Sequence, residues 1–267
     1  MNSDFALLIL SCDKYSDAWD PFFSLFRKFW PECPYKVYLA TNELKPEYSG
    51  VQIIASGAPK NWSDDTLAVL HQIPEKYVIV LLEDYFLNNK PDILWLQKCL
   101  SIMHSENAAF LRLASFRKDH FDMYAFDVIQ QHPDFGVTRK SAPFLINLQA
   151  GIWNREKLIS YIKPGESPWD FETKGSKRCA HTNDVFLGIT KTSSKDIISS
   201  PIPYLCTAIT KGVWMREAIE LCKELDVKID TRNRPVESSS AYLKRKVIHS
   251  IPYNSRKYLD YISRRIK

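Results

Sequence analysis

Four carboxylates in two short clusters are the residues best suited to chemistry. Glu83 and Asp84 follow directly on the apolar run Tyr77–Leu82, and Asp170 and Glu172 alternate with Trp169 and Phe171 shortly after Gly165. An acidic pair at the end of a buried strand can hold a divalent cation or accept hydrogen bonds from ribose hydroxyls, since carboxylates are natural acceptors for both. Two acids that simply end a strand where it meets water are the plainer alternative. In the second cluster the aromatic neighbours can desolvate one acid and tune it as a general base, or can anchor a loop whose acids stay solvated.

Three further polar groups accompany these acids. Ser11-Cys12-Asp13-Lys14-Tyr15 follows the first apolar run and can meet a nucleotide through Asp13 and backbone amides, although it contains no glycine. Gln149-Ala150-Gly151-Ile152-Trp153 reads as a small-residue turn at the start of a helix. It would let a substrate approach the backbone and place an aromatic at a pocket wall, or serve only helix-to-strand packing. His181-Thr182-Asn183-Asp184 can supply a late metal ligand or a phosphate contact, or be structural. The sequence has no Gly-x-Gly-x-x-Gly, no Gly-x-x-x-x-Gly-Lys-Ser/Thr and no Gly-x-Ser-x-Gly, which removes the dinucleotide fingerprint, the P-loop and the serine-hydrolase elbow.

These residues need a scaffold, and the apolar pattern predicts one. The continuous runs Phe5–Leu10 and Tyr77–Leu82 suit strands buried on both faces of a sheet. Trp19, Phe22, Phe23 and Phe26 fall at helical spacing, and a second helix starts at Asn61-Trp62-Ser63 with Ser63 as N-cap. Strands are expected near 35–39, 51–54, 109–113 and 144–149, helices near 93–103 and 154–161, and an irregular stretch over 115–141. Strands alternating with helices through the first 110 residues predict an α/β fold with a mostly parallel sheet flanked by helices. Ligands on such sheets bind at the carboxyl ends of the strands. The acids at 83 and 84 fall there.

The chain has 267 residues, 45% hydrophobic and 25% charged, which excludes a disordered or disulfide-dense class. No apolar run approaches the roughly 20 residues of a membrane span, and the N-terminus lacks a basic n-region, so a cytoplasmic location is expected. The net charge of +5 is unevenly placed. Residues 241–267 hold eight cations against Asp260 alone, a balance of +7, and the preceding 240 residues sum to −2. A neutral body with a basic tail is not the footprint of a nucleic-acid-binding face. The tail mixes its cations with Tyr242, Leu243, Val247, Ile248 and Ile251, a composition that fits an interfacial segment on an anionic membrane or a helical pair packed on the body. The expected organisation is a catalytic unit over 1–240, with halves at about 1–114 and 115–240, followed by this tail.

In their order, Ser11-Cys12-Asp13-Lys14-Tyr15, Trp62 opening a helix, Tyr77-Val-Ile-Val-Leu-Leu-Glu-Asp-Tyr-Phe86, Leu148-Gln-Ala-Gly-Ile-Trp153 and Ser167-Pro-Trp-Asp-Phe-Glu172 resemble bacterial glycosyltransferases of the GT-A fold, of the type found in capsule and O-antigen biosynthesis loci. The resemblance covers roughly residues 5–190. It implies a nucleotide-sugar donor, a UDP-sugar first, bound through Ser11, Cys12, Asp13, Tyr15, Trp62, Glu83 and Asp84. A saccharide or lipid-linked acceptor would meet Gln149, Gly151, Trp153 and Trp169, and Asp170 or Glu172 would be the base of an inverting transfer. Glu83 and Asp84 stand where the family carries Asp-x-Asp, but Tyr85 and Phe86 follow instead of a spaced second aspartate. Mn2+ or Mg2+ is the implied cofactor, with Asp84 and His181 as its ligands. The cytoplasmic face of the membrane is the implied site of action. A nucleotidyltransferase on a related sheet and a non-catalytic carbohydrate-binding protein are the competing readings.

Overall fold

The computed structural model describes residues 4–117, 126–190, 192–193, 199–205 and 207–250. In chain order the elements are β1 (Phe5–Leu10), α1 (Trp19–Phe29), β2 (Lys36–Thr41), β3 (Val51–Ala55), α2 (Trp62–Leu70), β4 (Tyr77–Leu82), α3 (Ile93–Ser105) and β5 (Phe110–Arg112). There follow β6 (Phe116–Arg117), β7 (Phe126–Ile129), β8 (His132–Thr138), β9 (Gly151–Asn154), α4 (Arg155–Tyr161), α5 (Pro168–Asp170), α6 (Ser176–Ala180) and β10 (Phe186–Ile189). The last are β11 (Thr192–Ser193), β12 (Ile209–Thr210), β13 (Val213–Trp214), α7 (Arg216–Glu224) and α8 (Ser239–Ser250). Nine strands form one sheet in the order β3-β2-β1-β4-β9-β5-β10-β8-β7.

The first four strands are mutually parallel, β9 runs antiparallel between β4 and β5, and β5 and β10 are again parallel. The fold is therefore α/β with a large, mostly parallel central sheet flanked by helices. Each face of the sheet carries its own core. On β1, Phe5, Leu7 and Ile9 pack with the aromatic stripe of α1, while Ala6, Leu8 and Leu10 pack with α2 and α4 on the other side. β4 divides in the same way, with Tyr77, Ile79 and Leu81 on the first face and Val78 and Val80 on the second. This two-faced burial is why both strands are apolar at every position.

Three local expectations are corrected. The N-cap of α2 is Asn61, whose Oδ1 accepts the Asp64 N–H at 3.1 Å, while the Ser63 hydroxyl donates to that same oxygen and accepts the Glu166 N–H. Residues 144–149 turn instead of forming a strand, with Phe144 at φ 54°, and the strand is displaced to Gly151–Asn154 where a turn was expected. A β-carbon on Gly151 would lie 2.4 Å from Cε2 of Phe110, so this glycine admits the neighbouring ring and not a substrate. The stretch expected to be irregular over 115–141 contains the β7–β8 hairpin, and residues 118–125 lie outside the described residues.

Candidate functional site

A cavity of about 470 Å³ opens at the carboxyl ends of β1, β2 and β4. Its lining includes Ser11 and Cys12 after β1, Asn42 after β2, Trp62 at the start of α2 and Glu83 after β4. Leu148 and Pro168 reach it from the second half of the chain. A larger hollow of about 610 Å³ lies at the opposite end of the strands, beside Asp4, Tyr35 and His104. That hollow collects no carboxylate cluster, and the end of the sheet where ligands bind is the other one.

The cavity's polar wall is built by exchange between loops. Asp13 does not reach into the cavity as a free acceptor, because its carboxylate takes the backbone N–H groups of Asn42, Glu43 and Leu44 at 2.8, 2.9 and 3.0 Å. Asn42 answers by accepting the Asp13 N–H through Oδ1, and its Nδ2 donates to Asp65 and Ser56 at 3.0 and 3.2 Å. Asp13 thus ties the loop after β1 to the loop after β2. Ser11 Oγ accepts the indole N–H of Trp19 at 2.8 Å and donates to the Cys12 carbonyl at 3.5 Å. Trp62 lies with its ring centroid 5.2 Å from that of Phe171, so the aromatic loop of the second acidic cluster closes against the cavity rim.

Glu83 and Asp84 are both buried, at 7% and 8% exposure. Burial pushes the Glu83 carboxyl well up, and the neighbouring Asp84 charge adds to it. Asp84 is raised by burial against the pull of the Thr207 hydroxyl and the Ile209 N–H, both of which donate to its Oδ2. The structure places the second cluster's acids in different surroundings. Asp170 closes a capping box with Ser167 and pairs with Lys174 at 2.8 Å, and these partners hold its carboxyl down to about 2. Glu172 is half-buried, its desolvation raises its pKa, and its Oε1 accepts the N–H of Leu148, a residue of the cavity wall, at 2.7 Å.

The residues expected at the acceptor are dispersed. Trp153 is 1% exposed in the core, stacked on Phe110 at 4.1 Å between centroids, and so is no pocket wall. Trp169 is 64% exposed and tilts against Phe144. The Gln149 side-chain carbonyl accepts the hydroxyl of Tyr204, whose ring stacks on Tyr85. His181 is exposed at the end of α6. Among the described residues no three His, Cys, Asp or Glu side chains gather as a metal centre. Asp84 Oδ1 is buried without a hydrogen-bond partner and Glu83 adjoins it, but His181 does not complete a site with them. The residues present therefore do not make the implied metal centre.

Sequence reading missed Asn42, Asp65, Thr207 and Arg234. The first two had a local signal, one directly after a strand and the other in the first turn of a helix. Thr207 and Arg234 had none, since they meet the site from more than 100 residues away.

No protein-family model matches the chain, and no curated protein matches it in sequence. Among solved structures it is similar to the bifunctional IspDF from Campylobacter jejuni, at 8% identity and TM-score 0.44, over 77% of this chain and 53% of that one. It is similar to a CMP:2-keto-3-deoxy-manno-octonic acid synthetase complexed with CTP, at 12% identity and TM-score 0.47, over 84% and 98% of the two chains. A third similar structure is S. aureus TarS 1-349, at 10% identity and TM-score 0.43, over 72% and 60%. The chain thus spans about half the length of IspDF.

Proposed function

We propose that this protein is a glycosyltransferase that binds a nucleotide-sugar donor in the 470 Å³ cavity and transfers the sugar, with inversion, to a saccharide or lipid-linked hydroxyl. The observation that carries the reading is the meeting at one cleft of a cavity at the strand ends, the buried acid Glu83 in its lining, and Glu172 bound to the N–H of its wall residue Leu148. A sugar hydroxyl is a weak nucleophile at neutral pH. A positioned carboxylate that takes its proton as the glycosidic bond forms contributes typically about 10²- to 10⁴-fold. Glu172 fits that role better than Asp170, because burial makes it the stronger base while Asp170 is held ionised by Lys174 and Ser167. Glu83 would hydrogen-bond the donor's ribose hydroxyls, with Asp84 beside it outside the cavity lining.

Transfer of a nucleotidyl group is the second reading. A triphosphate cradle needs free amides in the first loop. Here the Asp13 N–H is spent on Asn42 and the Tyr15 N–H on the Cys12 carbonyl. A panel of nucleotide sugars, read by thermal shift and donor hydrolysis with and without Mn2+, tests the reading. A rise in Tm with a UDP- or GDP-sugar is the expected outcome. A response confined to nucleoside triphosphates would favour the competing transfer, and no response to any nucleotide would leave only sugar binding.

The basic tail is proposed to hold the enzyme at an anionic membrane surface, where a lipid-linked acceptor of surface-polysaccharide synthesis would lie. No described helix is long and apolar enough to cross a membrane. α8 is fastened to the body by Arg245, which pairs with Glu217 and Glu237 at 2.6 and 2.8 Å. Leu243, Val247 and Ile248 remain exposed beside Lys244. The rest of the expected tail, 251–267, lies outside the described residues. Removing 241–267 is expected to reduce co-sedimentation with vesicles containing anionic lipid and to leave binding to neutral vesicles as weak as before. Equal co-sedimentation of the full and shortened chains would overturn the membrane proposal.

A further inference from the structure

The wall of the cavity that follows β1 is held from the far end of the chain. Arg234 is buried, and its guanidinium forms a two-pronged pair with Asp17, Nε to Oδ2 and Nη2 to Oδ1, each at 2.9 Å. Nη2 also reaches the Lys14 carbonyl at 3.3 Å, and the guanidinium lies over the Tyr15 ring, 4.8 Å from its centroid. Every one of these contacts falls on the 3-10 turn Asp13–Ala18, whose N-cap is Cys12. Arg234 is itself fixed by its surroundings. It lies 5.7 Å from the ring of fully buried Trp214, and Trp214 binds the strap on which Arg234 sits through Pro235, Glu237 and Asp230. A planar fork on a carboxylate, stacked on two rings, is a geometry that lysine cannot reproduce.

We infer that Arg234 is a positioning residue for the cavity: it clamps the Lys14–Asp17 turn, and with it Tyr15 and Cys12, in the conformation that receives the donor. It touches no cavity-lining carboxylate through a hydrogen bond, and its action runs through the turn. The inference rests on the functional reading only in naming a nucleoside diphosphate as the occupant.

Cys12 offers a readout that needs no nucleotide, since this half-buried thiol lines the cavity at the root of the clamped turn. Its alkylation by iodoacetamide at pH 8.5 is followed by peptide mass spectrometry, with the equally half-buried Cys33 as internal reference. Arg234→Met is expected to accelerate alkylation of Cys12 about tenfold relative to Cys33, and to weaken UDP binding by a similar factor. Loss of a nearby positive charge would by itself slow a thiolate reaction, so acceleration reports opening of the turn. Arg234→Lys keeps the charge opposite Asp17 and guards against a variant that fails to fold; it is expected to give a smaller acceleration, about threefold, without restoring the wild-type rate. An unchanged Cys12 rate in both variants overturns the inference, whatever UDP does. Failure of the wild-type protein to bind any nucleoside diphosphate, with Cys12 accelerated in the variants, would overturn the functional reading and leave the clamp standing.

Discussion

Glu172→Gln is expected to lower kcat by about 10²- to 10⁴-fold, the range for loss of a general base, while the donor Kd changes by less than about twofold. Glutamine keeps an oxygen to accept the Leu148 N–H, so the local fold should survive while the proton acceptor is lost. The pH profile supplies a second signature. Burial raises the Glu172 carboxyl above the ordinary glutamate range. Only the ionised form can accept a proton, so turnover should fall as pH drops through that raised value, and this acid limb should be absent from the glutamine variant. Asp170→Asn should behave differently. It removes an exposed capping box and the Lys174 pair, so a small loss of Tm with turnover within about threefold of wild type is expected. If Asp170→Asn abolishes transfer while Glu172→Gln retains it, the roles of the two acids are reversed.

The second large effect concerns stability. Glu83 sits buried beside Asp84 with its carboxyl raised above the unfolded-state value. Between those two values the folded protein binds a proton that the unfolded chain does not, so stability falls as pH rises through this window. At pH 8 the folded state carries the cost of a poorly solvated charge, which Gln does not bear. Glu83→Gln is therefore expected to stabilise the protein by about 1–3 kcal/mol at pH 8. That corresponds to roughly 2–4 °C of Tm per kcal/mol for a chain of this size. The gain should shrink toward pH 4, where the carboxyl is protonated in both states. Donor affinity should move the other way, with about a tenfold or greater loss from removing the carboxyl that hydrogen-bonds the donor. Thermal melts at pH 4, 6 and 8 with UDP titrations on the same variant check both halves. A Tm at pH 8 that stays level or drops would refute the buried-charge account, and an unchanged UDP affinity would remove Glu83 from the donor site. A residue kept at the expense of stability is what a functional site of this kind would show.

The strands and the position of the cavity were legible in the sequence because their signal is local. Phe5–Leu10 and Tyr77–Leu82 are apolar at every position, and a strand with a core on both faces leaves no other pattern. Acids placed directly after such a strand fall at the ligand-binding edge of the sheet, and Glu83 does line the cavity. The same local logic failed at 144–154. A run of apolar and small residues there does not reveal that Phe144 takes a positive φ, or that the strand begins at Gly151 so that Phe110 can close over it.

What the sequence determined by itself was the kind of scaffold, the end of the sheet at which the cavity opens, and the four carboxylates at issue. The tertiary structure decided which of these, and of Asp13 in the first loop, are available. Asp13 and Asp170 looked as reactive as their neighbours, yet one is consumed by three loop amides and the other by a cap and a lysine. Glu172 is set apart by burial against Leu148. Asp170 meets its partners within four residues along the chain, but those of Asp13 and Glu172 come from segments at least 24 residues away, as with Asn42 for Asp13 and Leu148 for Glu172. Periodicity and spacing describe a chain's neighbours along the sequence, whereas a carboxylate's charge and reach depend on which distant groups the fold packs around it.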